Sequence, residues 1–417
     1  MTMLLTQSNL DLSALIRPGD TVMWGQANAE PLPLTQALVE QRHALGRLRL
    51  MLGIPNSDSC RPEHADSLDF VSYCGSGANR QLAKAGVLEI LPCHYSELPR
   101  MIRSGALRID VLMLQLAPAD EHGRYSLGLA HEYLLPALET ARVVIAEVNQ
   151  ACPWTFGERY LYEGDLDAIL HTERAPLQTP AVDPGPVERS IAERVAGLVE
   201  DGSTLQLGIG AIPEAVVQAL ADHRDLGVHS GTIGDGVAAL IERGVITNSR
   251  KTQDAGVTVA GVLMGSSSLH RFAHRNWLIQ MRSTDYTHHP QVLAAHDRLV
   301  AINSAIEVDL TGQINAESVA GNYVGALGGA VDFLRGAHRS RGGLPIIALP
   351  SSAGQNSRIV SHLNGPVSTP RCDAGLIVTE FGVADLRGLS LRQRARRMIE
   401  IAHPQFREQL EQAAAGL

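Results

Sequence analysis

The sequence predicts an α/β protein built from two similar domains, each with a mostly parallel sheet covered by helices. Three observations lead to this prediction: a strand–glycine–proline–helix segment occurs twice, short β-branched runs alternate with helical stretches, and a proline-rich segment separates the two copies. Alternating strands and helices favour parallel sheets because the connecting helices cover their faces. The length of 417 residues also exceeds what one compact core usually holds.

The repeated segment is the strongest of these observations. Residues 19–38 (GDTVMWGQANAEPLPLTQAL) align with residues 202–220 (GSTLQLGIGAIPEAVVQAL), and the paired glycines stand 183 positions apart. A weaker match, 189 positions apart, joins DEHG at 120–123 to DLTG at 309–312, each after an apolar strand. Chance similarity between two βα units could explain the first match alone. Two matches at nearly constant spacing predict an internal duplication.

The boundary between the two copies is predicted from residues 173–187, which carry four prolines and no apolar periodicity, as is typical of a linker. The apolar residues that follow fall on one face of a helix at about 188–200. We therefore predict an N-terminal domain of residues 1–185 and a C-terminal domain of residues 186–417. Short apolar runs predict buried strands at 111–116, 257–259, 299–302, 346–349 and 376–378.

The composition disfavours several classes of function. The 35 basic and 44 acidic residues give a net charge of −9, whereas non-specific nucleic-acid binding needs a basic surface. Aromatic residues make up only 4%, which disfavours carbohydrate platforms and base-stacking surfaces. No apolar run approaches the ~18 to 20 residues of a membrane helix, and the first ten residues lack the pattern of a signal peptide. We expect a cytoplasmic protein without nucleic-acid or membrane partners.

The cysteines and histidines give no metal signature. The five cysteines are scattered without a CxxC spacing, which favours small, reduced, buried residues in a reducing compartment. The pairs His288–His289 and His270/His274 lack the Cys or carboxylate companions of a zinc site. We interpret both pairs as structural or surface residues and expect no metal.

The first glycine-rich segment, LQLGIGAIPE at 205–214, places a strand before Gly208 and Gly210. Glycines let the backbone approach a ligand closely, and the amides that begin a helix can hold an anion or an oxyanion. Pro213 suits the first helical position. It also occupies the place of the third glycine in a dinucleotide fingerprint, so NAD binding is disfavoured. An ordinary tight βα turn is the alternative interpretation.

Two further glycine-rich segments follow. GNYVGALGGAVDF at 321–333 has four glycines before a helical pattern, which is typical of a second backbone-lined cradle or of a surface loop. GVHSGTIGDG at 227–236 brings polar residues from a strand end into a turn. Within it, Asp235 is interpreted as the cap of a helix at 237–243 rather than as a catalytic residue.

Five segments taken together resemble the acetyl-CoA hydrolase/transferase family, which includes 4-hydroxybutyrate CoA-transferases. They are LGIGAIPEAV, HSGTIGDGVAALIERGVITNSRKT, AINSAIEVDLTGQINAES, GALGGAVDFLRGA and VTEFGVADLRGLSLRQRARRMIEIAHPQFRE. The resemblance covers nearly the whole chain and implies two similar α/β domains, coenzyme A as a substrate and a homodimer. It implies CoA contacts at Gly208, Ile209, Gly210, Ala211, Ile212, Gly325, Gly328 and Gly329.

The resemblance also implies a departure from the family's chemistry. In this family a glutamate attacks the acyl-CoA thioester, and the reaction passes through a mixed anhydride and a glutamyl-CoA thioester. The corresponding positions here read His229-Ser230-Gly231, so a glycine stands where the glutamate is expected. Some relatives also have a CoA-contacting lysine near Gly354, and none is present here. The family's covalent route therefore cannot run unchanged.

Several residues are candidates to replace the glutamate. Glu307 and Glu380 are available carboxylates, although a structural role is favoured for both. His229 and Ser230 flank Gly231 and could hold or deprotonate a water molecule. We predict a hydrolase or CoA-transferase of short or medium acyl-CoA, with a small carboxylate as second substrate of a transferase, in which the thioester is attacked directly. A catalytically inactive CoA-binding or regulatory homologue is the alternative, and a lactone or sugar-phosphate enzyme is a more distant one.

Overall fold

The computed structural model describes residues 2–6 and 8–416 and divides them into two compact units. The first unit comprises the chain up to Pro180 with residues 233–235 and 259–287, and the second comprises the rest. The predicted boundary after residue 185 lies five residues beyond Pro180. Nothing in the sequence pattern indicated that two later segments join the first unit. The outermost residues of the predicted domains, 1 and 417, lie outside the described residues.

The first unit is organised around a parallel sheet. The first nine strands of the chain are β1 (Met3–Leu5), β2 (Thr21–Trp24), β3 (Leu48–Leu52), β4 (Leu68–Ser72), β5 (Leu88–Ile90), β6 (Val111–Leu116), β7 (Val143–Asn149), β8 (Phe156–Gly157) and β9 (Ala168–Thr172). All except β8 form one eight-stranded sheet of order β1-β9-β7-β6-β2-β3-β4-β5, in which every neighbouring pair is parallel. The helices of this stretch are α1 (Leu32–Leu45), α2 (Asn79–Lys84), α3 (Leu98–Arg103) and α4 (Leu134–Thr140).

The remaining strands include the sheet of the second unit. They are β10 (Thr204–Leu207), β11 (Gly227–Val228), β12 (Thr232–Ile233), β13 (Thr258–Ala260), β14 (Val262–Leu263), β15 (Ile279–Met281), β16 (Leu299–Ser304), β17 (Glu307–Asp309), β18 (Ile314–Asn315), β19 (Ser318–Val319), β20 (Asn322–Tyr323), β21 (Leu344–Ala348), β22 (Ser352–Ala353), β23 (Asn356–Ser357), β24 (Ile359–Val360), β25 (Leu376–Thr379) and β26 (Gly382–Asp385). Six of them form a sheet of order β11-β10-β16-β21-β25-β26, parallel except for β26. The mostly parallel α/β fold is thus confirmed.

Nine helices complete the described part of the chain. They are α5 (Pro186–Ala196), α6 (Ala211–Ala219), α7 (Asp235–Glu242), α8 (Ser267–Ala273), α9 (Thr284–Thr287), α10 (Pro290–Ala295), α11 (Ala330–Arg339), α12 (Leu391–Glu400) and α13 (Arg407–Ala414). The predicted helix at 188–200 is observed as α5, which ends earlier, at Ala196. The helix predicted at 237–243 is α7, which begins at Asp235 itself, so Asp235 does not precede it as a cap. The Asp235 carboxylate instead accepts from the amides of Ser266 and Leu269 at the start of α8, whose N-cap is Ser266.

The two copies of the repeat occupy corresponding places in the two sheets. In the first unit β2 lies between β3 and β6, and in the second β10 lies between β11 and β16. In both sheets the chain first adds strands on one side of this strand and later adds strands on the other side. Ligands of open α/β sheets bind outside the carboxyl ends of the strands where the order reverses in this way. The residues that follow β2 and β10 are therefore the expected ligand positions.

The core of each unit is formed by these sheets. Every residue of β6, β7 and β10 is buried, as expected of central strands covered on both faces. Three of the five cysteines, Cys60, Cys74 and Cys152, are buried thiols, whereas Cys93 is partly exposed and Cys372 is exposed. The expectation of buried thiols therefore does not hold for Cys372, which lies in a polar turn.

Candidate active site

Three chain segments meet at the carboxyl edge of the second unit's sheet. Gly208 follows β10, Ser230 lies two residues after β11, and β16 runs alongside β10. The amide of Gly208 donates to the carbonyl of Ile302 at 2.9 Å. The hydroxyl of Ser230 lies 3.2 Å from both the amide nitrogen and the carbonyl oxygen of Leu207. The loops after β10 and β11 are thus held together directly beside the point where the strand order reverses.

The loop after β10 presents open backbone. Ile209 is 46% exposed, and Gly210 is exposed with a φ of 116° and a ψ of −174°, a conformation essentially restricted to glycine. No atom lies within 4 Å of a Cβ built on Gly210. Helix α6 begins at Ala211, so the amides of Ala211 and Ile212 have no partner within the helix. This loop can therefore receive an anion or a carbonyl oxygen.

Pro213 occupies a different helical position from the one predicted. It is the third residue of α6 rather than the first. The first four amides of a helix lack intrahelical partners, so the missing N–H of proline costs nothing at this position either. The predicted role of the proline, to begin a helix without losing a hydrogen bond, is retained.

The histidine and serine before Gly231 face different neighbours. The ring of His229 is fully buried and its centroid lies 4.7 Å from that of His296. The hydroxyl of Ser230 instead contacts the backbone of Leu207. Burial, with Lys251 nearby, lowers the pKa of His296 to about 4, and neither ring nitrogen of His296 has a hydrogen-bond partner among the described residues. The His229–His296 pair is therefore a buried pair of rings.

His288, which the sequence analysis interpreted as a structural or surface residue, occupies the space beside Gly231. A Cβ built on Gly231 would lie 2.9 Å from Cε1 and 3.1 Å from Nε2 of His288. A Cβ on Gly329, the residue before α11, would lie 2.5 Å from the same Nε2. The structure thus brings two of the predicted glycine motifs together around one imidazole ring. Burial lowers the pKa of His288 to about 3, so this ring is neutral at physiological pH.

The glycines of the second predicted cradle have different surroundings. A Cβ on Gly325 would lie 2.0 Å from the carbonyl oxygen of Ala316, so this position requires glycine for packing. Gly328 has a φ of 55° and only an ordinary contact around its Cβ position. Gly329 immediately precedes α11. Close backbone packing therefore explains Gly325, while Gly328 and Gly329 stand at the beginning of a ten-residue helix.

Both candidate carboxylates are engaged in hydrogen bonds. Glu307 is buried, and its Oε1 accepts from the Asn315 side chain at 3.1 Å and from the amides of Asn364 and Gly365 at 2.8 and 3.1 Å. Its Oε2 accepts from the Asn364 side chain at 3.0 Å. The carboxylate of Glu380 accepts from the amide of Ser351 at 2.9 Å and from its hydroxyl at 2.5 Å. These contacts favour the structural role for both residues.

A buried polar cluster in the first unit was missed by the sequence analysis. Oε2 of Glu132 accepts from the hydroxyl of Tyr95 and, at 2.6 Å, from the side-chain amide of Gln26, which follows β2. The hydroxyl of Tyr73 donates to Oε1 of Gln26 at 2.7 Å. Oε1 of Glu132 and the hydroxyl of Tyr133 have no hydrogen-bond partner among the described residues. Apart from the adjacent Glu132 and Tyr133, these residues are far apart in sequence, and no spacing rule connects them.

Replacing Glu132 by glutamine is expected to change how the stability of the first unit depends on pH. Burial raises the pKa of Glu132 to about 7 from an ordinary value of 4.5. The unfolded chain therefore loses this proton at lower pH than the folded chain, so the contribution of Glu132 to stability falls by about 3 kcal/mol as the pH rises from 4.5 to 7. Glu132→Gln removes this loss, and the variant is expected to exceed the parent in stability at pH 8 but not at pH 4.5.

Urea unfolding followed by tryptophan fluorescence measures this effect in the correct unit, because Trp24, Trp154 and Trp277 all lie in the first unit. The exposed Glu121 provides a matched control, Glu121→Gln, which is expected to leave the pH profile unchanged. Parallel profiles for the parent and the Glu132→Gln variant would contradict the prediction.

Comparison with known proteins decides the family. Residues 6–176 match the family model of the acetyl-CoA hydrolase/transferase N-terminal domain, and residues 265–414 match that of the C-terminal domain. The chain is 39% identical over 395 residues to the 4-hydroxybutyrate coenzyme A transferase of Clostridium kluyveri, covering 93% of this chain and 92% of that protein. The chain belongs to the acetyl-CoA hydrolase/transferase family.

Two solved structures are also similar to this chain. RipA from Yersinia pestis superposes with a TM-score of 0.94 at 36% identity, covering 99% of this chain and 97% of that chain. The 4-hydroxybutyrate CoA-transferase from Porphyromonas gingivalis gives a TM-score of 0.84 at 34% identity, covering 98% and 96%. The family predicted from the five sequence segments is thus confirmed, and with it an acyl-CoA transferase or hydrolase as the general type of enzyme.

Two further properties of this family member can be read from the described residues. None of the helices within residues 2–6 and 8–416 is long and apolar enough to cross a membrane. The same residues contain no group of three His, Cys, Asp or Glu side chains placed to hold a metal ion.

Proposed function

We propose that this protein is a cytoplasmic enzyme acting on the thioester of a short or medium acyl-CoA, as a hydrolase or a CoA-transferase, without a glutamyl-CoA intermediate. The CoA ester binds along the loop of Gly208, Ile209, Gly210, Ala211 and Ile212 and beside Gly328 and Gly329, with Gly325 keeping the second loop close to its neighbours. A homodimer is proposed from the family resemblance. The substrates are an acyl-CoA and, for a transferase, a small carboxylate.

The observation that carries this proposal is the open backbone after β10. Gly210 has a conformation restricted to glycine, nothing covers its Cβ position, and the amides of Ala211 and Ile212 begin a helix. Partial positive charge at a helix start favours an oxygen that becomes negative during the reaction. This loop lies where the strand order of the sheet reverses, which is the usual ligand position in such folds.

The chemistry that fits a glycine at position 231 is direct attack on the thioester. In hydrolysis the oxygen of water bonds to the thioester carbon, the carbon–sulfur bond breaks, and the proton lost by water goes to the leaving CoA thiolate. The amides of Ala211 and Ile212 stabilise the oxyanion formed on the way. In transfer a carboxylate attacks instead, giving a mixed anhydride and the CoA thiolate. The thiolate then attacks the acceptor's carbonyl carbon, the C–O bond of the anhydride at that carbon breaks, and the first acyl group leaves as a carboxylate. His229 and Ser230 directly precede Gly231. Neither reaction requires a carboxylate from the protein as nucleophile.

A second candidate function is binding of CoA or acyl-CoA without turnover. Two observations favour it. The ring of His288 fills the space beside Gly231, and the carboxylates of Glu307 and Glu380 are both occupied by hydrogen bonds. Such a protein would keep the CoA loop and lack a nucleophile. This alternative predicts affinity for CoA esters with no release of thiol.

Turnover of a panel of acyl-CoA esters, with and without acetate, separates these possibilities. Thiol release that does not depend on acetate identifies a hydrolase, and formation of acetyl-CoA with no net thiol release identifies a transferase. Calorimetric binding of CoA without either reaction supports the binding protein. Absence of both binding and turnover for every ester would contradict the proposed function.

Gly210→Ala is expected to weaken CoA binding at least tenfold while the protein remains folded. The φ of 116° at Gly210 is strongly disfavoured for a residue with a Cβ, so the loop must rearrange. Gly388→Ala is the matched control, because Gly388 also has a positive φ of 70° and an open Cβ position, in a turn before α12. Isothermal titration with CoA measures both variants. Equal losses of affinity, or none in either variant, would contradict the assignment of this loop.

A further inference from the structure

We infer that Gly231 and His288 form a coupled pair, in which the ring of His288 takes the place of a side chain at position 231. A glutamate can then be accommodated at position 231 only when the ring at position 288 is removed. His288 acts as a positioning residue, because its ring determines which side chains fit at position 231. The inference deepens the proposed function, on which its chemical part depends.

The space around Gly231 is filled by the ring of His288. A Cβ at this position would lie 2.9 Å from Cε1 of His288, closer than real Cβ contacts, while the next neighbour, Phe333, is 3.8 Å away. The backbone of Gly231 does not have a positive φ. The imidazole ring, and not backbone strain, is therefore what excludes a side chain there.

The ring of His288 has close neighbours on its other sides as well. His288 is 4% exposed, and its ring centroid lies 4.7 Å from that of Phe333. On its other side a Cβ at Gly329 would lie 2.5 Å from Nε2. The ring thus fits between two glycines and an aromatic side chain, and any substituent on either glycine would displace it.

The backbone that carries the ring of His288 is also held in place. His289, the next residue, caps α10 through its ring nitrogen, which accepts from the amide of Gln291 at 3.3 Å. Helix α10 in turn packs closely on α11, because a Cβ on Gly336 would lie 2.5 Å from Cβ of Leu293. Since α11 also carries Phe333, the position of the ring is determined by two helices that cannot separate without loss of packing.

The consequence for catalysis rests on the proposed function and on the resemblance that aligns the family's glutamate with position 231. A carboxylate there attacks the thioester carbon and expels the CoA thiolate, giving a mixed anhydride. The thiolate then attacks the glutamyl carbonyl, forming a glutamyl-CoA thioester and releasing the acyl group as a carboxylate. The ring of His288 prevents this route because it occupies the volume the carboxylate needs.

A double-mutant cycle tests the pair. Gly231→Glu alone is expected to lower the melting temperature by roughly 2–10 °C, the range expected for overpacking in a protein of this size. His288→Ala alone leaves a cavity and also lowers it. The double variant is expected to melt well above the temperature obtained by adding the two losses. The control pair is Gly197→Glu and His362→Ala, two exposed positions. The nearest atom to a Cβ on Gly197 is 3.5 Å away. The losses of melting temperature of these two variants should add in the double control variant.

Mass spectrometry of each variant after incubation with acyl-CoA tests the chemical part. A covalent CoA thioester on the peptide containing residue 231 is expected in the double variant and not in Gly231→Glu alone. A recovered melting temperature without the adduct supports the coupled pair and counts against the proposed function. The inference is overturned if Gly231→Glu alone melts like the parent, or if the losses of the two single variants add without coupling.

Discussion

Lowering the pH from 7 to 4.5 is expected to reduce the free energy of unfolding of the second unit by about 5 kcal/mol, through two buried histidines. Burial lowers the pKa of His288 to about 3 and that of His296 to about 4, from an ordinary value of 6.5. Both rings stay neutral in the folded chain while the unfolded chain takes up protons. Stability is therefore intact above pH 6.5 and falls between pH 6.5 and 4, by about 2.7 kcal/mol per pH unit.

His296→Phe tests this explanation at one of the two residues. It removes one titrating ring whose nitrogens have no hydrogen-bond partner among the described residues and keeps an aromatic ring against His229. The slope is expected to fall to about 1.4 kcal/mol per pH unit. Because the tryptophans of the chain all lie in the first unit, hydrogen exchange of peptides containing β10 and β16 is the suitable measurement. If the free energy of unfolding of His296→Phe falls with pH as steeply as that of the parent between pH 6.5 and 4, this explanation is wrong.

Glu307→Ala is expected to destabilise the second unit by about 3–5 kcal/mol, the second large effect. The buried carboxylate accepts from the side chains of Asn315 and Asn364 and from the amides of Asn364 and Gly365. Removing it leaves these donors without an acceptor, and each buried unsatisfied donor costs about 1–3 kcal/mol. Glu307→Gln keeps one oxygen acceptor at the same place, so a much smaller loss of stability is expected.

The pair of variants also separates a structural role from a catalytic one. If Glu307 only holds the loop, the Glu307→Gln variant keeps most of its acyl-CoA turnover and its CoA affinity. If Glu307 were the nucleophile, the same variant would lose its turnover while remaining as stable as the parent, because an amide cannot attack the thioester. Chemical denaturation and thioester assays on the same preparations provide both quantities.

The sequence predicted the fold well because its strongest signals are local and repeated. The segments around Gly25 and Gly208 fold into the same strand–turn–helix unit, and both lie beside the point of strand reversal. The strand predicted at 111–116 is β6, with the same ends. The five segments that resemble the family are long and ordered along the chain, and the comparisons confirm the family.

The surroundings of the site could not be predicted in the same way. His288 and Gly231 are separated by several elements, and the short distance between them arises only when α10 packs on α11. The pair His288–His289 has no pattern that distinguishes its buried member from its exposed one. The cluster around Glu132 likewise depends on residues that follow β2 and β4 and on a tyrosine, Tyr95, far along the chain. Such contacts follow from tertiary packing and have no spacing in the sequence.

The central claim is that glycine-lined backbone in the second unit holds a CoA ester next to a position without a nucleophilic side chain. Calorimetric titration of the full chain with CoA and with a series of its esters tests this most directly. Saturable binding is expected, roughly in the micromolar to millimolar range, weakened in the Gly210→Ala variant and unaffected in the Gly388→Ala variant. Titrations that show no heat of binding with CoA or with any ester would contradict it.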